Sequence, residues 1–210
     1  MPIEPPTKRA VAFIDAQNLF HAAKEAFGYR HPNFDPLKLA ARVCEAHRWE
    51  LAETRLYTGV PAAADNPRWN HFCTAKLAQM GREGVVTYSR ALRYRNQTVR
   101  LPDGREHTIL VGQEKGVDIR VALDVVRLAH QRVYDVALVF SQDQDLSEVA
   151  DEIRVVSREQ DRWIKIASAY PSSPTSRNLR GINGTDWIRI DRTTYEACID
   201  ARDYRPKRRL

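Results

Sequence analysis

The sequence predicts an α/β fold built on a parallel β-sheet, and three observations carry that expectation. Short, wholly apolar runs, Ala10-Val-Ala-Phe-Ile14 and Val136-Ala-Leu-Val-Phe140, read as strands buried on both faces. Other stretches place apolar residues at helical spacing, such as Val117, Val121, Val125 and Leu128. The two kinds of segment alternate along the chain, and strands joined by helical crossovers lie parallel.

Each element follows in order. Residues 1–8, rich in proline, read as a disordered leader. The first strand ends at Asp15, and Ala16 to Phe27 reads as a helix with Leu19, Ala22, Ala23 and Ala26 on one face. Asp35 as N-cap and Pro36 in the first turn open a second helix to about His47. Glu50 to Thr58 reads as a strand packing through Leu51, Leu56 and Tyr57. Asn66 to Met80 reads as a helix ended by Gly81 and Gly84, and Val85 to Tyr88 as the third strand. Leu92 to Val99 and His107 to Val111 flank the turn signal Pro102-Asp-Gly104, which predicts a β-hairpin insertion. Gly116 to Gln131 reads as a helix, Val136 to Phe140 as the fourth strand, Leu146 to about Val156 as a helix and Trp163 to Ala167 as the fifth strand. A Ser/Pro-rich loop at 171–176, a sixth strand at Trp187 to Ile190 and a short helix around Thr194 to Ala201 complete the pattern. The expected organisation is one domain over residues 9–200, with a five- or six-stranded sheet and a basic tail at 201–210.

Bulk properties narrow the function classes. No run of about 18 apolar residues exists, so no membrane span is expected. The start has no apolar core and does not read as a signal peptide. Cys44, Cys73 and Cys198 are odd in number and far apart, which fits free thiols in a reducing cytoplasm better than a disulfide framework or a zinc knuckle. The formal charge of +6 favours a polyanionic partner. Basic residues concentrate in Arg202 to Leu210 and in Arg90 to Arg100, where Tyr94 sits among arginines. Single-stranded RNA needs such a basic path with stacking surfaces, so Arg93, Tyr94 and Arg95 are substrate-side candidates, and Trp69 and His71 could line the same cleft. A homodimer is compatible with such a sheet protein but rests on no motif.

The chemistry lies in the aspartates. Asp15 ends the first strand, and Ser141-Gln-Asp-Gln-Asp145 follows the fourth. Asp118 stands in the first turn of the helix after the hairpin. In open α/β sheets, functional residues collect beyond the carboxyl ends of the strands at the switch in strand order, so these segments converge if strands one and four are neighbours. Taken singly, Asp15 and Asp143 read equally as helix caps, and Asp118 as a complement to a helix dipole. Jointly they repel one another unless a hard cation intervenes, and oxygen ligands select Mg²⁺ or Mn²⁺. Such ions serve phosphodiester hydrolysis. Asp124 lies six residues past Asp118, about 240° round a helix, and ranks last. Asn18 shares a face with Asp15 and could orient it or touch a phosphate. Lys115 could pair with the acids or contact the scissile phosphate, and Ser141 could orient a carboxylate or a water. Other phosphotransfer sites fit poorly. Gln17 stands where a haloacid-dehalogenase site needs a second acid, no glutamate follows the first strand as a Toprim site needs, and no P-loop exists.

Phe13-Ile-Asp-Ala-Gln-Asn-Leu19, Lys115-Gly-Val-Asp118 and Ser141-Gln-Asp-Gln-Asp-Leu146 resemble, in this order, the three motifs of the NYN domain family, also called LabA-like, of the PIN-like nuclease superfamily. The motifs and their order span about residues 10–170. The resemblance implies a PIN-like three-layer α/β/α sandwich and a Mg²⁺- or Mn²⁺-dependent endoribonuclease. Carried over by position, it implies a metal site at Asp15, Asp118 and Asp143, with Asp145 close by and Asn18 supporting catalysis. The family usually has glycine at the position of Gln142 and an aromatic at that of Leu146. The first departure bears on rate and substrate, because it leaves the acids in place. A catalytically silent RNA-binding or regulatory module of the same fold is the competing reading.

Overall fold

The apolar runs of the sequence become the middle of a sheet. The structure, a computed structural model, describes residues 2–100 and 104–206. In chain order the elements are β1 (Arg9–Asp15), α1 (Ala16–Phe27), α2 (Pro36–Ala46), β2 (Glu50–Val60), α3 (Pro67–Arg82), β3 (Val86–Ala91), β4 (Arg93–Arg100), β5 (Glu106–Gln113), α4 (Val117–His130), β6 (Val136–Phe140), α5 (Ser147–Glu159), β7 (Lys165–Pro171), β8 (Asp186–Ile190) and α6 (Arg192–Glu196), with a 3₁₀ turn at Gln144–Leu146 before α5. Six strands form one sheet in the order β3-β2-β1-β6-β7-β8, every pair parallel.

Strand alternation sends successive side chains to opposite faces, and both faces are covered. Ala10, Ala12 and Ile14 of β1 join Leu138 and Phe140 of β6 in one core, closed by Leu19 of α1, Leu39 of α2, Met80 of α3 and Tyr195 of α6. Val11, Phe13, Ala137 and Val139 face the other core, closed by Val121 of α4 and Ile153 of α5. The result is the expected α/β/α sandwich, with the large apolar side chains among these contributing about 1.5–3 kcal/mol each through burial.

The hairpin is also present. β4 and β5 pair antiparallel from Arg93↔Gln113 to Arg100↔Glu106, as a two-stranded sheet apart from the main one. Of the turn signal, Gly104 is described, whereas Pro102 and Asp103 lie outside the described residues. Several boundaries moved. β2 and β3 run to Val60 and Ala91 because they pair with each other to that point. β7 starts at Lys165 rather than Trp163 and reaches Pro171, where β8 accompanies it. The last helix is short, since Ile199 instead bridges to Phe34 and Asp200 N–H donates to Asn33 O.

At the ends of the chain, Lys8 O accepts from Glu50 N–H, and Arg202 forms ion pairs with Asp200, Glu83 and Asp35. Residues 207–210 of the expected basic tail lie outside the described residues. Among the described residues no helix is long and apolar enough to cross a membrane. The three cysteines are free thiols, Cys44 and Cys198 buried and Cys73 half-buried. The homodimer expectation finds no support in the fold.

Candidate active site

The strand order reverses between β1 and β6. β1 continues to β2 and β3 on one side, while β6, β7 and β8 build the other. Ile14 pairs with Phe140, so the carboxyl ends of the two strands stand side by side. A cleft of about 500 Å³ opens there, lined by Asp15, Glu114, Asp118 and Asp143 with Asn18, His21 and Lys115 among its other walls. Four acids from three segments, the end of β1, the β5–α4 connection and the loop after β6, therefore meet at the switch point, the place where open α/β sheets bind ligands.

Each acid has a local reason for its position. Asp15 ends β1 and caps α1, its Oδ1 accepting from Asn18 N–H at 3.0 Å. Burial, then the nearby charges of Asp143 and Asp118, push its carboxyl up to about 6. Asp143 Oδ1 accepts from Asp145 N–H at 3.1 Å and opens the 3₁₀ turn. Asp118 lies in the first turn of α4, where Gly116 caps the helix at φ 74°. That left-handed angle disfavours other residues. A side chain there would also run into Arg90 Nη1, which donates to Lys115 O at 3.3 Å.

Glu114 is the acid that sequence reasoning missed. It follows β5 directly, and burial, then the Asp15 charge, push its carboxyl up to about 7. Its carboxylate accepts from Gly59 N–H on β2, and a Cβ at Gly59 would overlap it. The available signal was an acid at a strand end just before the Lys115-Gly-Val-Asp118 motif. The approach to Gly59, 55 residues away, was not visible.

Other candidates fall outside the cleft. Asp145 is exposed and does not line it. Ser141 is only 1% exposed. Its Oγ accepts from Asp143 N–H at 3.1 Å and its carbonyl from Ser168 Oγ at 2.7 Å, so it shapes the loop from beneath rather than meeting a ligand. Arg93, Tyr94 and Arg95 sit on β4, and Tyr94 packs against Gly112 of the hairpin. None of the three lines the acidic cleft. Trp69 stacks on Phe72 at 4.8 Å and lines a separate pocket with Tyr204. Asp124 does face elsewhere: Tyr57 Oη, Arg55 Nη1, Arg120 Nε and Arg127 Nη2 all donate to it within 3.2 Å.

Among the described residues no three His, Cys, Asp or Glu side chains stand as a ready-made metal cage. The donor chemistry nonetheless fits a hard divalent cation. The cleft acids offer only oxygen, and two of them, Asp15 and Glu114, are held toward neutrality by burial and then by neighbouring acids, a penalty that a bound cation removes.

The comparisons with known proteins agree with this architecture. A model of the NYN domain matches residues 9–181. No curated protein matches the chain. Among solved structures, a protein of unknown function from Vibrio parahaemolyticus is 17% identical, with 90% of this chain and 98% of that chain covered and a TM-score of 0.50. At that identity the likeness shows the fold alone. MurG of Acinetobacter baumannii is 8% identical, with 87% of this chain and 45% of that chain covered, and its TM-score of 0.32 carries no argument. With the family model spanning most of its length, the α/β/α sandwich beneath it and the three motifs in order at one cleft, the chain belongs to the NYN domain family of the PIN-like nuclease superfamily.

Proposed function

We propose that the protein is an endoribonuclease that hydrolyses phosphodiester bonds of single-stranded RNA, with Mg²⁺ or Mn²⁺ held by Asp15, Asp118, Asp143 and Glu114. The observation that carries the reading is the crowding of four carboxylates, from three segments, onto one cleft at the switch point. Family membership supports a nuclease, and the charge of +6 supports a polyanionic substrate.

When bound, the ion supplies positive charge that activates a water and steadies the leaving oxygen of the phosphodiester. The chain's own residues place the reactants. Asn18 ties two acid-bearing segments together: its N–H holds Asp15, and its Oδ1 accepts from Gln142 N–H at 2.9 Å. Lys115 puts an ammonium group at the rim, where it can neutralise a phosphate entering an acidic cleft. Asp143 stays in place because Ser141 Oγ receives its backbone N–H.

The test is cleavage of end-labelled single-stranded RNA with Mn²⁺ or Mg²⁺. Asp15→Asn and Asp143→Asn are expected to lose at least about 100-fold in rate, more than the roughly 10–100-fold lost when an outer partner of a metal ligand is removed. Both variants should also lose the thermal stabilisation that Mn²⁺ gives the parent chain. Undiminished cutting in chelator would sink the proposal. RNA binding without any cutting, with either metal, would favour the silent RNA-binding module.

A further inference from the structure

The connection between β7 and β8 carries Arg177 and Arg180, both exposed. Neither has a carboxylate ion pair among the described residues, and Arg180 Nη2 donates only to Asn183 Oδ1, at 3.3 Å. Exposed loops are ordinarily mobile, but this one is fastened along its length. Gln142 Nε2 donates to Asn178 O at 3.2 Å and to Arg180 O at 2.9 Å. Tyr170 Oη donates to Leu179 O at 2.8 Å, and Gln144 Nε2 to Gly181 O at 3.0 Å. Gln144 Oε1 also accepts from Asn183 N–H at 3.2 Å. Four consecutive carbonyls are thus bound. Beneath them the buried Ser168 Oγ accepts from Ile182 N–H at 3.2 Å while donating to Ser141 O. On the other side, Arg177 N–H donates to Glu25 of α1.

The loop therefore lies between the exposed stripe of α1, which carries Asn18 and His21 into the cleft, and the segment that carries Asp143. Gln142 is the joint. Its backbone N–H binds Asn18 and its side chain binds the loop, whereas glycine could make only the first of these bonds. An RNA strand crossing four carboxylates meets repulsion everywhere except where cations flank them. A guanidinium on a rigid support is suited to phosphate, because little freedom is lost on binding.

We propose that the β7–β8 loop, which flanks the cleft without joining its lining, is a phosphate-binding surface beside it. Arg177 and Arg180 take backbone phosphates beside the bond to be cut, and Gln142 and Gln144 are positioning residues that hold the loop. This inference rests on the endoribonuclease reading.

The experiment measures binding of a fluorescent single-stranded RNA to the full chain in Ca²⁺ over a salt series, with cleavage in Mn²⁺ run in parallel. The double variant Arg177→Ala/Arg180→Ala should bind at least about tenfold more weakly at low salt, with a slope of log K against log salt flatter by about 1.4, two phosphates at roughly 0.7 each. Gln142→Ala and Gln144→Ala should shift affinity in the same direction although both arginines remain, raising KM with little change in kcat. Arg158→Ala, at the far end of α5, controls for bulk charge and should leave both affinity and slope unchanged. Wild-type affinity and slope in the arginine variant would overturn the loop's phosphate-binding role while leaving the nuclease reading intact. Wild-type binding in both glutamine variants would overturn the positioning role. A parent chain that neither binds nor cuts RNA would remove the nuclease reading and the inference together.

Discussion

Asp15 uses one carboxylate for two purposes. It caps α1, and it lines the cleft as well. A helix N-terminus tolerates a negative charge, so the cap fixes the acid where a cation could meet it. Glu114 has no cap to serve. It is held by Gly59 N–H and by the absence of a side chain at Gly59. Glu114→Gln keeps the shape and removes one charge from the crowd. It is expected to raise the Mn²⁺ concentration at half-maximal thermal stabilisation by about 10–100-fold, the range seen when groups around a metal are altered. It should also leave the metal-free protein at least as stable as the parent, because a repulsion is gone. An unchanged Mn²⁺ midpoint would remove Glu114 from the site. Gln142 changes meaning at this scale too. From the sequence it is a departure that bears on rate and substrate; in the structure its side-chain amide spans to a second loop.

At the scale of elements, β1 and β6 differ in kind from β4 and β5. The first two are buried on both faces apart from the exposed Arg9. The hairpin strands are largely exposed, and their two-stranded sheet lacks a third strand, an arrangement that is marginally stable alone. Hydrogen exchange should therefore open β4–β5 well before β1 and β6, with protection of the central strands approaching that of global unfolding. Equal protection in the two sets would show that the hairpin is held by contacts beyond its own ladder. The consequence is functional, since β5 ends beside Glu114 and Lys115. Helix boundaries were legible where capping chemistry is local, as with Asp35 and Pro36 at the start of α2. The ends of β2 and β7 were not, because each is set by the reach of a neighbouring strand.

Across the whole molecule, two further aspartates connect distant parts. Asp124 joins β2 to α4 through Arg55, Tyr57, Arg120 and Arg127. Asp200 joins the C-terminal segment to α3 through Lys76 and is bound by Arg202 and Tyr204. Burial raises the pKa of each, but hydrogen bonds from Arg120 and Tyr57 to the first, and from Tyr204 and Arg202 to the second, outweigh it and hold both carboxyls below their ordinary 3.8. A depressed carboxyl stabilises the fold fully above its unfolded value and loses that contribution as pH falls through the folded one. The denaturation midpoint should therefore fall as pH drops below about 4, and Asp124→Asn should fall less steeply. At neutral pH that variant is expected to lose about 3 kcal/mol, the cost of breaking a buried pair from one side. Denaturant melts of both chains at pH 6 and pH 3 check this, and parallel losses would mean that Asp124 is not a source of the acid limb.

The sequence by itself determined the class of the sheet, the central strands β1 and β6, the existence of the hairpin and three of the four cleft acids. These depend on patterns that close within a few residues: apolar runs, helical periodicity, caps and strand-end acids. Tertiary structure alone decided that β1 and β6 are neighbours, that Glu114 joins the acids and that Asp145 and Ser141 do not line the cleft. It also decided that Gln142 holds a basic loop 36 and 38 residues further along the chain. Each of these depends on how segments far apart in sequence pack, where no local periodicity carries a signal and only the arrangement of strands and helices decides which groups meet.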